Sequence, residues 1–498
     1  MSHAAASQMK NETPINNLCT TLPDGLITEI SADNIYITGM DLDSRKIQDG
    51  YLFAAFQGEA VNGYDFIPQA IQNGAAVVLI NTTDPAPTDI PFIRTSNPRL
   101  AFSLLAAAFH QKQPEHVVAV TGTNGKTSIV QFCRQIWETL DYKPACLGTI
   151  GVTAPALSIN EEGSITTPDP ETLFRTYADL TDMGCTHLAM EASSHGLDQY
   201  RLHGTRIQAA GFSNLSHDHL DYHKTVEDYL HAKTKLFTEI LPKDGIAVLN
   251  CDDPVFAHLQ EQCNKTLTYS LGAHDADLKI LERTPTAQGQ HIVLQAFDET
   301  YELDFPLVGA FQLYNALCAV GLVLAETSLD KKRVIACLET LETVRGRLEY
   351  VGSPKAIDAG IYVDYAHTPD AIVNVLNALR PHTDGKLYAL IGCGGDRDNT
   401  KRPLMGKAAA EHADCVIVTD DNPRSEEPAQ IREQAMKGCP DAENIGDRRK
   451  AIYHGIQQLK DGDILVITGK GHEQGQKIGD TIHPFDDATV ARDALQGD

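Results

Sequence analysis

A glycine-rich turn between an apolar run and a helix, at residues 115–128, constrains the fold of this chain more than any other stretch. It reads EHVVAVTGTNGKTS, and its β-branched run at 116–120 is typical of a buried strand. Gly122 and Gly125 follow this run. Only glycine lets the main chain turn this tightly with several N–H groups pointing at one anion, so the two glycines indicate such a turn. The spacing of the next apolar residues predicts a helix that begins at Lys126 and buries one face.

The N-terminus of that helix points at the glycine turn, as in nucleotide-binding sites. The helix dipole, the free N–H groups and the Lys126 ammonium converge on a phosphate chain, and the Thr127 hydroxyl is placed to ligate its magnesium ion. The turn departs from the general P-loop pattern, since Val120 stands where that pattern has glycine and Gly122 is supplied instead. An ordinary glycine-rich turn is the alternative, but such turns rarely end in Gly-Lys-Thr-Ser. We therefore predict a nucleotide triphosphate site.

Composition limits the class of protein. A chain of 498 residues, 42% hydrophobic and 22% charged, is globular and long enough for about three domains. Its formal charge of -26 argues against nucleic acid or an anionic membrane as the main partner. The chain has no apolar run of transmembrane length, and its first residues lack the apolar core of a secretory signal. We expect a cytoplasmic protein, monomeric, with small-molecule partners.

The cysteines indicate buried reduced thiols. There are 11 of them, with no C-x-x-C pair, and several fall in apolar helical contexts. Cys393, in a glycine-rich stretch, is the one candidate for a thiol nucleophile, although a structural thiol is the favoured interpretation there.

Polar residues after the strands of the first two thirds of the chain are the next candidates. Residues 117–344 alternate strands with helices, which predicts a parallel sheet whose ligands lie beyond the carboxyl ends of the strands. Glu191 ends one strand, where it is placed to ligate Mg²⁺ or simply to cap or pair. A later apolar segment, 307–320, predicts a turn and a helix that exposes Asn315. Before this alternation, Ser44 and Arg45 precede a strand and offer a hydroxyl and a cation to an anionic ligand, although Asp-Ser is also common turn chemistry.

A dense polar cluster follows the strand predicted at 209–213. Its histidines suggest zinc, but no cysteine accompanies them and a phosphate site is near, so magnesium is at least as well favoured. We expect one or two of these side chains to be ligands. The cluster comprises His217, Asp218, His219, Asp221 and His223.

The last segment, 345–498, repeats the alternation of strands and helices. Three strands, at 386–392, 415–419 and 463–468, end in the polar loops GCGGDRDNTKRP, DDNPRSEEP and GKGHEQGQ. Because these loops share one edge of a sheet, Arg397, Arg424 and Glu473 predict a pocket for a zwitterion with more than one carboxylate. Surface ion pairs are the alternative for each residue alone.

These motifs together resemble the Mur ligase family. The similarity runs from residue 43 to about 473 and rests on TGTNGKTS, TTPDP, MEASSHGLDQYR, DHLDYH, HAK, RGRLE, DYAHTPD, GGDRDNTKRPLM and DNPR in this order. It implies an α/β fold of three domains: an N-terminal UDP-binding domain at 1–114, a central P-loop ATPase domain with a parallel sheet at 115–344, and a C-terminal Rossmann-like domain for an amino acid at 345–498. Within the family, the motifs most resemble those of members that add the third residue to a UDP-N-acetylmuramoyl dipeptide of peptidoglycan.

The resemblance assigns roles residue by residue. It implies that ATP is held by Gly122, Thr123, Asn124, Gly125, Lys126, Thr127, Ser128, Asn315 and Arg347. It implies that the UDP-muramoyl dipeptide is held by Ser44, Thr166, Thr167, Ser193, Gln199 and Arg201. It implies that the amino acid is held by Arg397, Asp421, Asn422, Pro423, Arg424, Gly469 and Glu473.

Metal ions and a modified lysine are also implied. Thr127 and Glu191 would hold one Mg²⁺ and His219 would help hold a second, while Lys233 matches the family's lysine that carries a CO₂-derived carbamate. Without the resemblance, Lys233 reads as a solvated helix lysine. One departure is the run Glu59, Ala60 and Val61, which lacks the polar character expected at the uridine contact.

The implied activity is ATP-dependent amide formation through an acyl phosphate, with Lys126, Glu191, His219 and carbamylated Lys233 in catalysis. Within DNPR, Arg424 can pair bidentately with the distal carboxylate of meso-diaminopimelate and would repel the bare distal ammonium of L-lysine, so we favour diaminopimelate. The alternatives are the same ligase acting on L-lysine, a ligase like folylpolyglutamate synthetase, and a nucleotide-driven switch without ligase activity.

Overall fold

The structure is a computed structural model that describes residues 12–58, 61–161, 165–216, 222–286 and 289–497. The chain divides into two compact units. The first comprises Met1–Lys126, Asp141–Leu249 and Asp253–Leu267, and the second comprises Thr127–Leu140, Asn250–Asp252 and Thr268–Asp498.

The N-terminal part of the first unit contains a five-stranded sheet. Its strands, in spatial order, are Ile27–Ile30, Phe92–Thr95, Ala75–Asn81, Tyr51–Ala54 and Gly39–Asp41. All neighbours pair in parallel except the first two. A two-stranded sheet of Thr13–Pro14 and Tyr36–Ile37 accompanies it. The helices here are Ile15–Cys19, Gly63–Phe66 (3₁₀), Ile67–Gln72 and Pro98–His110.

The rest of the first unit is built on a mainly parallel sheet around the strand His116–Thr121. The spatial order of its strands is Ile159–Glu161, Gly151–Ala154, Pro144–Gly148, His187–Glu191, His116–Thr121, Ala209–Phe212 and Ile246–Asn250. The last five pair in parallel, and the β-branched run at 117–120 is buried, as expected for a strand covered on both faces. The helices are Pro155–Leu157 (3₁₀), Pro170–Asp182, Ser194–Asp198, Val226–Lys235, Leu236–Ile240 (π) and Phe256–Gln260.

The first part of the second unit combines helices with strands. Leu278–Thr286, Gly289–Ala296 and Glu299–Phe305 pair antiparallel, whereas Thr266–Ser270 pairs in parallel with Leu278–Thr286. The helix Lys126–Thr139 buries Ile129, Phe132, Cys133 and Ile136 completely, as its spacing predicts. The strands are Thr266–Ser270, Leu278–Thr286, Gly289–Ala296 and Glu299–Phe305, and the other helices are Ala310–Leu324, Lys331–Ala336 and Cys337–Thr340 (3₁₀).

The second part of the second unit is a six-stranded sheet with helices on both faces. The spatial order is Glu349–Gly352, Gly360–Asp364, Ile464–Thr468, Leu387–Cys393, Cys415–Asp420 and Glu443–Asn444, with only the first strand antiparallel. Two apolar clusters lie on it. The helices are Pro369–Leu379, Arg380–His382 (3₁₀), Lys401–His412, Pro428–Met436, Arg448–Gln458 and Asp487–Gln496, and a hairpin joins Gly475–Ile478 to Thr481–Pro484. The predicted α/β class and the three strands of this segment are confirmed.

Two further expectations concern membranes and thiols. Within the described ranges, no helix is both long and apolar enough to cross a membrane. All 11 cysteines are free thiols, and most are buried. Burial raises the pKa of the Cys393 thiol to about 12, so this side chain is protonated near neutral pH and the nucleophile alternative loses its support.

Candidate active site

The glycine turn after strand His116–Thr121 has the backbone that its sequence predicts. Gly122 has φ +138° and Gly125 has φ +90°. A Cβ atom on Gly122 would lie 1.9 Å from Ser213 Oγ, so only glycine fits there. Asn214 holds the turn from the neighbouring strand end, because its carbonyl accepts from Thr123 N at 2.8 Å.

Two lysine side chains meet at this turn. Lys126 Nζ donates to the carbonyl oxygens of Gly122 at 2.9 Å and Thr123 at 2.8 Å. Lys233 Nζ donates to the same Gly122 oxygen at 2.7 Å and lies 4.2 Å from the centre of the Tyr229 ring. Lys233 is only 1% exposed, which overturns its sequence-based interpretation as a solvated helix lysine. The role that the resemblance implies for Lys233 stays a prediction.

Glu191 lies at the carboxyl end of strand His187–Glu191. This strand pairs with His116–Thr121, which leads into the glycine turn. The pairing partner of Glu191 is Val120, and the Glu191 side chain is 1% exposed. Its carboxylate accepts from Thr149 N at 2.9 Å and from Thr149 Oγ1 at 3.1 Å. A Cβ atom on Gly148 would lie 2.1 Å from Glu191 Oε1, so glycine makes room for the carboxylate. Sequence reasoning missed Thr149, whose only signal was its place in the GTIG turn.

The oxygen donors near the turn suit magnesium. Thr127 and Ser128 are buried in the first turn of helix Lys126–Thr139, and Glu191 has a buried carboxylate in the first unit. Carboxylate and hydroxyl oxygens are the hard ligands that Mg²⁺ prefers, so these residues fit the ion that the resemblance implies. His219 lies outside the described residues, as do His217, Asp218 and Asp221, and the choice between zinc and magnesium at that cluster stays open.

A hydrogen-bonded group continues from Glu191 through five residues implied in substrate binding. Thr167 Oγ1 donates to the Glu191 carbonyl at 3.0 Å and accepts from Ser193 N at 3.0 Å. Arg201 donates to the Thr167 carbonyl and to Gln199 Oε1, both at 2.7 Å. Thr166 Oγ1 lies 3.0 Å from Thr149 Oγ1. The structure therefore assembles Thr166, Thr167, Ser193, Gln199 and Arg201 into one network.

Ser44 stands apart from that network, near the N-terminal sheet. It is 6% exposed, and its hydroxyl donates to Gln69 Oε1 at 2.7 Å. Of the three residues that depart from the expected uridine pattern, Glu59 and Ala60 lie outside the described residues, while Val61 is exposed.

Asn315 and Arg347, both implied in ATP binding, are linked to each other within the second unit. Asn315 is 5% exposed, so the expectation that its helix exposes it is wrong. Its amide donates to Gln312 Oε1 at 3.0 Å, and Gln312 in turn approaches the Arg347 carbonyl at 3.4 Å. The Arg347 guanidinium lies 4.7 Å from the centre of the Tyr365 ring. Burial and the hydrogen bond to Gln312 hold Asn315 in place. Helix periodicity alone did not predict this burial.

The seven residues implied in amino-acid binding meet at one edge of the six-stranded sheet. Asn422 Nδ2 donates to Glu473 Oε2 at 2.8 Å. Gly469 has φ +110°, and a Cβ atom there would lie 2.6 Å from Asp421 Oδ2.

The two arginines of this edge border Gly394. A Cβ atom on Gly394 would lie 2.8 Å from Arg424 Nη1 and 3.9 Å from Arg397 Cγ. A Cβ atom on Gly395 would lie 1.9 Å from the Pro423 carbonyl oxygen. Arg424 has the unusual φ of +52° for a non-glycine residue, and its Nη1 donates to the Gly395 carbonyl at 2.7 Å.

Two buried cations behind this edge escaped sequence reasoning. Lys470 is 0% exposed and donates to Glu473 Oε2 at 3.0 Å. Arg448 and Asp487 form an ion pair with both side chains fully buried, and Arg448 Nη2 also donates to the Thr468 carbonyl at 2.8 Å. The one available signal for Lys470 was its place between two glycines in GKGHE.

The first unit brings together two lysines at the glycine turn, and the buried carboxylate of Glu191 joins a network of polar side chains. The edge of the six-stranded sheet carries two arginines, an aspartate and a glutamate. An ATP-driven ligase needs residues of these kinds.

Comparison with known proteins gives the family. Family models match residues 36–118 as "Mur ligase family, catalytic domain", 120–323 as "Mur ligase middle domain" and 346–471 as "Mur ligase, glutamate ligase domain". The chain belongs to the Mur ligase family.

Two of its relatives carry the same name. The UDP-N-acetylmuramoyl-L-alanyl-D-glutamate--2,6-diaminopimelate ligase of Caulobacter vibrioides is 48% identical over 470 residues, which cover 93% of this chain and 96% of that protein. The enzyme of the same name from Zymomonas mobilis is 46% identical over 92% of this chain and 95% of that protein. A solved structure of such a ligase superposes with a TM-score of 0.73, at 33% identity, over 98% of this chain and 99% of that chain.

Proposed function

We propose that this protein joins meso-diaminopimelate to the D-glutamate side-chain carboxylate of UDP-N-acetylmuramoyl-L-alanyl-D-glutamate, with ATP, in peptidoglycan precursor synthesis. The substrate carboxylate attacks the γ-phosphorus of ATP and releases ADP, which gives an acyl phosphate. The neutral amine of the amino acid then attacks the carbonyl carbon, and the tetrahedral intermediate loses a proton and expels phosphate. The observation that carries this proposal is that Arg397 and Arg424 both border Gly394, while Asn422, two residues before Arg424, donates to Glu473.

The phosphate chain of ATP would lie on residues 122–128. Backbone N–H groups of the turn bind the phosphate oxygens, and Lys126 neutralises the charge that grows on the transferred phosphoryl group. In the structure Lys126 Nζ rests on two carbonyl oxygens of the turn, so binding requires it to exchange these bonds for phosphate oxygens. Asn315 and Arg347 would lie near the nucleoside and its phosphates.

Mg²⁺, when bound, supplies further charge neutralisation to the phosphoryl oxygens. Thr127 and Glu191 would hold one ion, and His219 and a carbamate on Lys233 are proposed for a second. Thr149 keeps the Glu191 carboxylate fixed through two hydrogen bonds, which preorganises a ligand.

The carbamate on Lys233 is part of this proposal. A neutral amine adds to CO₂ and loses a proton, which converts a cation into an anion with two oxygens. Lys233 is buried, and Lys126 Nζ donates to the same carbonyl oxygen, so carbamylation would remove one of two neighbouring positive charges. The carbamate nitrogen keeps one N–H group, so its hydrogen bond to the Gly122 carbonyl can persist after modification.

Charge at the distal end of the amino acid selects diaminopimelate. That end carries both a carboxylate and an ammonium in diaminopimelate, but an ammonium alone in L-lysine. Arg424 would pair with the carboxylate, with Arg397 beside it, and Glu473 would accept the ammonium. Asp421, Asn422, Pro423 and Gly469 shape the same pocket.

We also propose the domain limits 1–114, 115–344 and 345–498. Support comes from the three family models, whose boundaries fall between 118 and 120 and between 323 and 346.

Six residues are proposed to bind the UDP-muramoyl dipeptide. Ser44 would bind its uridine end, and the network of Thr166, Thr167, Ser193, Gln199 and Arg201 would bind its muramoyl dipeptide.

Mass spectrometry of the nucleotide product tests the reaction. With UDP-N-acetylmuramoyl-L-alanyl-D-glutamate, ATP, Mg²⁺ and meso-diaminopimelate, the product should gain one diaminopimelate residue. A product that gains lysine from an equimolar mixture of the two amino acids would overturn the amino-acid assignment. Extension of a folate by glutamate, with no change to the UDP substrate, would overturn the reaction itself.

A further inference from the structure

Three cations lie at the amino-acid-binding edge of the six-stranded sheet: Arg397, Arg424 and Lys470. Of these three, Lys470 is the one that is fully buried. It follows strand Ile464–Thr468 by two positions and is 0% exposed. Its Nζ lies 3.1 Å from Asn422 Oδ1, 3.0 Å from Glu473 Oε2 and 3.9 Å from Asp421 Oδ1. We propose that Lys470 is a positioning and specificity-determining residue, which sets the charge of this pocket so that it accepts an amino acid with a distal carboxylate. The inference rests on the proposed function.

Lys470 fixes the orientation of the Asn422 amide. Asn422 Oδ1 accepts from Lys470 Nζ and also from the main-chain N–H of Lys477 at 2.8 Å. The oxygen side of the amide is therefore occupied by donors, and its Nδ2 must face Glu473 Oε2, to which it donates at 2.8 Å. Glu473 thus receives two donors on one oxygen, and its position depends on Lys470 directly and through Asn422.

Lys470 also balances the charges of the pocket. The two acids there, Asp421 and Glu473, both lie near Lys470 Nζ, whereas Arg397 and Arg424 border Gly394. One acid is neutralised internally, which leaves the pocket with excess positive charge toward a ligand carboxylate. Without Lys470 both acids would face the ligand, and the charge of the pocket would shift by one unit toward negative.

That shift has opposite consequences for two amino acids. A more negative pocket repels the distal carboxylate of diaminopimelate but attracts the lone distal ammonium of L-lysine. Loss of Lys470 should therefore lower the ratio of kcat/KM for diaminopimelate to kcat/KM for L-lysine. A residue that only supported the fold would lower both values by the same factor.

The test compares Lys470→Gln, which keeps N–H donors but removes the charge, with Lys470→Arg, which keeps the charge. Lys407→Met is the matched control, since Lys407 is exposed on helix Lys401–His412 and pairs with Glu411 at 3.6 Å. In Lys470→Gln the ratio should fall at least about tenfold, mainly through KM for diaminopimelate, with KM for ATP unchanged. The Arg variant and the control should keep the wild-type ratio within about threefold.

Equal loss of both activities in Lys470→Gln would overturn the inference. If that variant does not fold, as judged by its thermal melt, the Arg variant decides: a preserved ratio supports the charge role, and a collapsed ratio contradicts it. Failure of the wild-type protein to release phosphate with diaminopimelate would instead overturn the proposed function, so the two failures are distinguishable.

Discussion

Lys126 and Lys233 donate to the same oxygen atom, the carbonyl of Gly122, at 2.9 and 2.7 Å. The two lysines are far apart in the sequence: Lys126 directly follows the glycine turn, and Lys233 lies in the last turn of helix Val226–Lys235. Two neighbouring ammonium groups repel each other, and Lys233 is also buried. The carbamate proposed for Lys233 would replace one of these two cations by an anion.

The carbamate proposed for Lys233 can be tested directly. We expect ¹³C-labelled bicarbonate to give a carbamate signal in the ¹³C NMR spectrum of the protein. The signal should be absent in Lys233→Met and retained in Lys235→Met, because Lys235, on the same helix, pairs with Asp198 at 2.9 Å. A spectrum of Lys233→Met identical to that of the wild type would refute the modification at this position.

Lys126 should be required for phosphoryl transfer. Because its ammonium is the cation of the glycine turn, Lys126→Ala should lower the rate of ATP-dependent product formation by about 10³-fold or more. The variant should keep the wild-type melting temperature. Lys243→Ala, at an exposed position, should retain full activity. Near-normal turnover in Lys126→Ala would sink the assignment of the ATP site.

Arg424 should discriminate between amino acids. A charge-assisted pair with the distal carboxylate contributes about 1.5–3 kcal/mol, so Arg424→Ala should lower kcat/KM for diaminopimelate by roughly 10- to 100-fold. Activity with L-lysine should not fall, since lysine offers no carboxylate to lose. Arg449→Ala is a suitable control, because Arg449 is 53% exposed and pairs with Asp493. Undiminished kcat/KM for diaminopimelate would rule out this role for Arg424.

His472 should make stability depend on pH. Burial, and then the Arg347 and Arg345 cations, lower its pKa from 6.5 to about 4. Between these values the unfolded chain holds a proton that the folded chain lacks, so stability falls as the pH falls through this window. The loss amounts to at most about 3 kcal/mol.

The check is the difference in Tm between pH 7 and pH 5. It should be smaller in His472→Asn, which cannot titrate, than in the wild type. His483→Asn, at an exposed position of the hairpin, controls for the loss of a histidine. An unchanged difference in His472→Asn would show that this residue does not govern the acid sensitivity.

Sequence patterns predicted the strands, turns and helices, which are formed by residues close together in the chain. The strand, glycine turn and helix at 116–139 follow from residue spacing and from the backbone freedom of Gly122, and the structure has them. Three strand ends of the last segment were predicted at 392, 419 and 468, because apolar runs bounded by polar loops mark them, and the strands end at 393, 420 and 468.

Contacts between distant residues could not be predicted in this way. Thr149 and Glu191 lie 42 positions apart, and no periodicity joins them. Lys233 and Asn315 occupy polar-looking helix positions whose burial is decided by what packs above them. Lys470 is hidden for the same reason, since a lysine in a glycine-rich loop reads as exposed until the DNPR loop is placed beside it.

The most direct test of the account is phosphate release with ATP, Mg²⁺ and UDP-N-acetylmuramoyl-L-alanyl-D-glutamate, with meso-diaminopimelate, with L-lysine, or with neither. We predict stoichiometric release with diaminopimelate and little release in the other two reactions. Release only with lysine would contradict the role of Arg424 and keep the ligase. Equal release without any amino acid would contradict the ligase and indicate a nucleotide-driven switch.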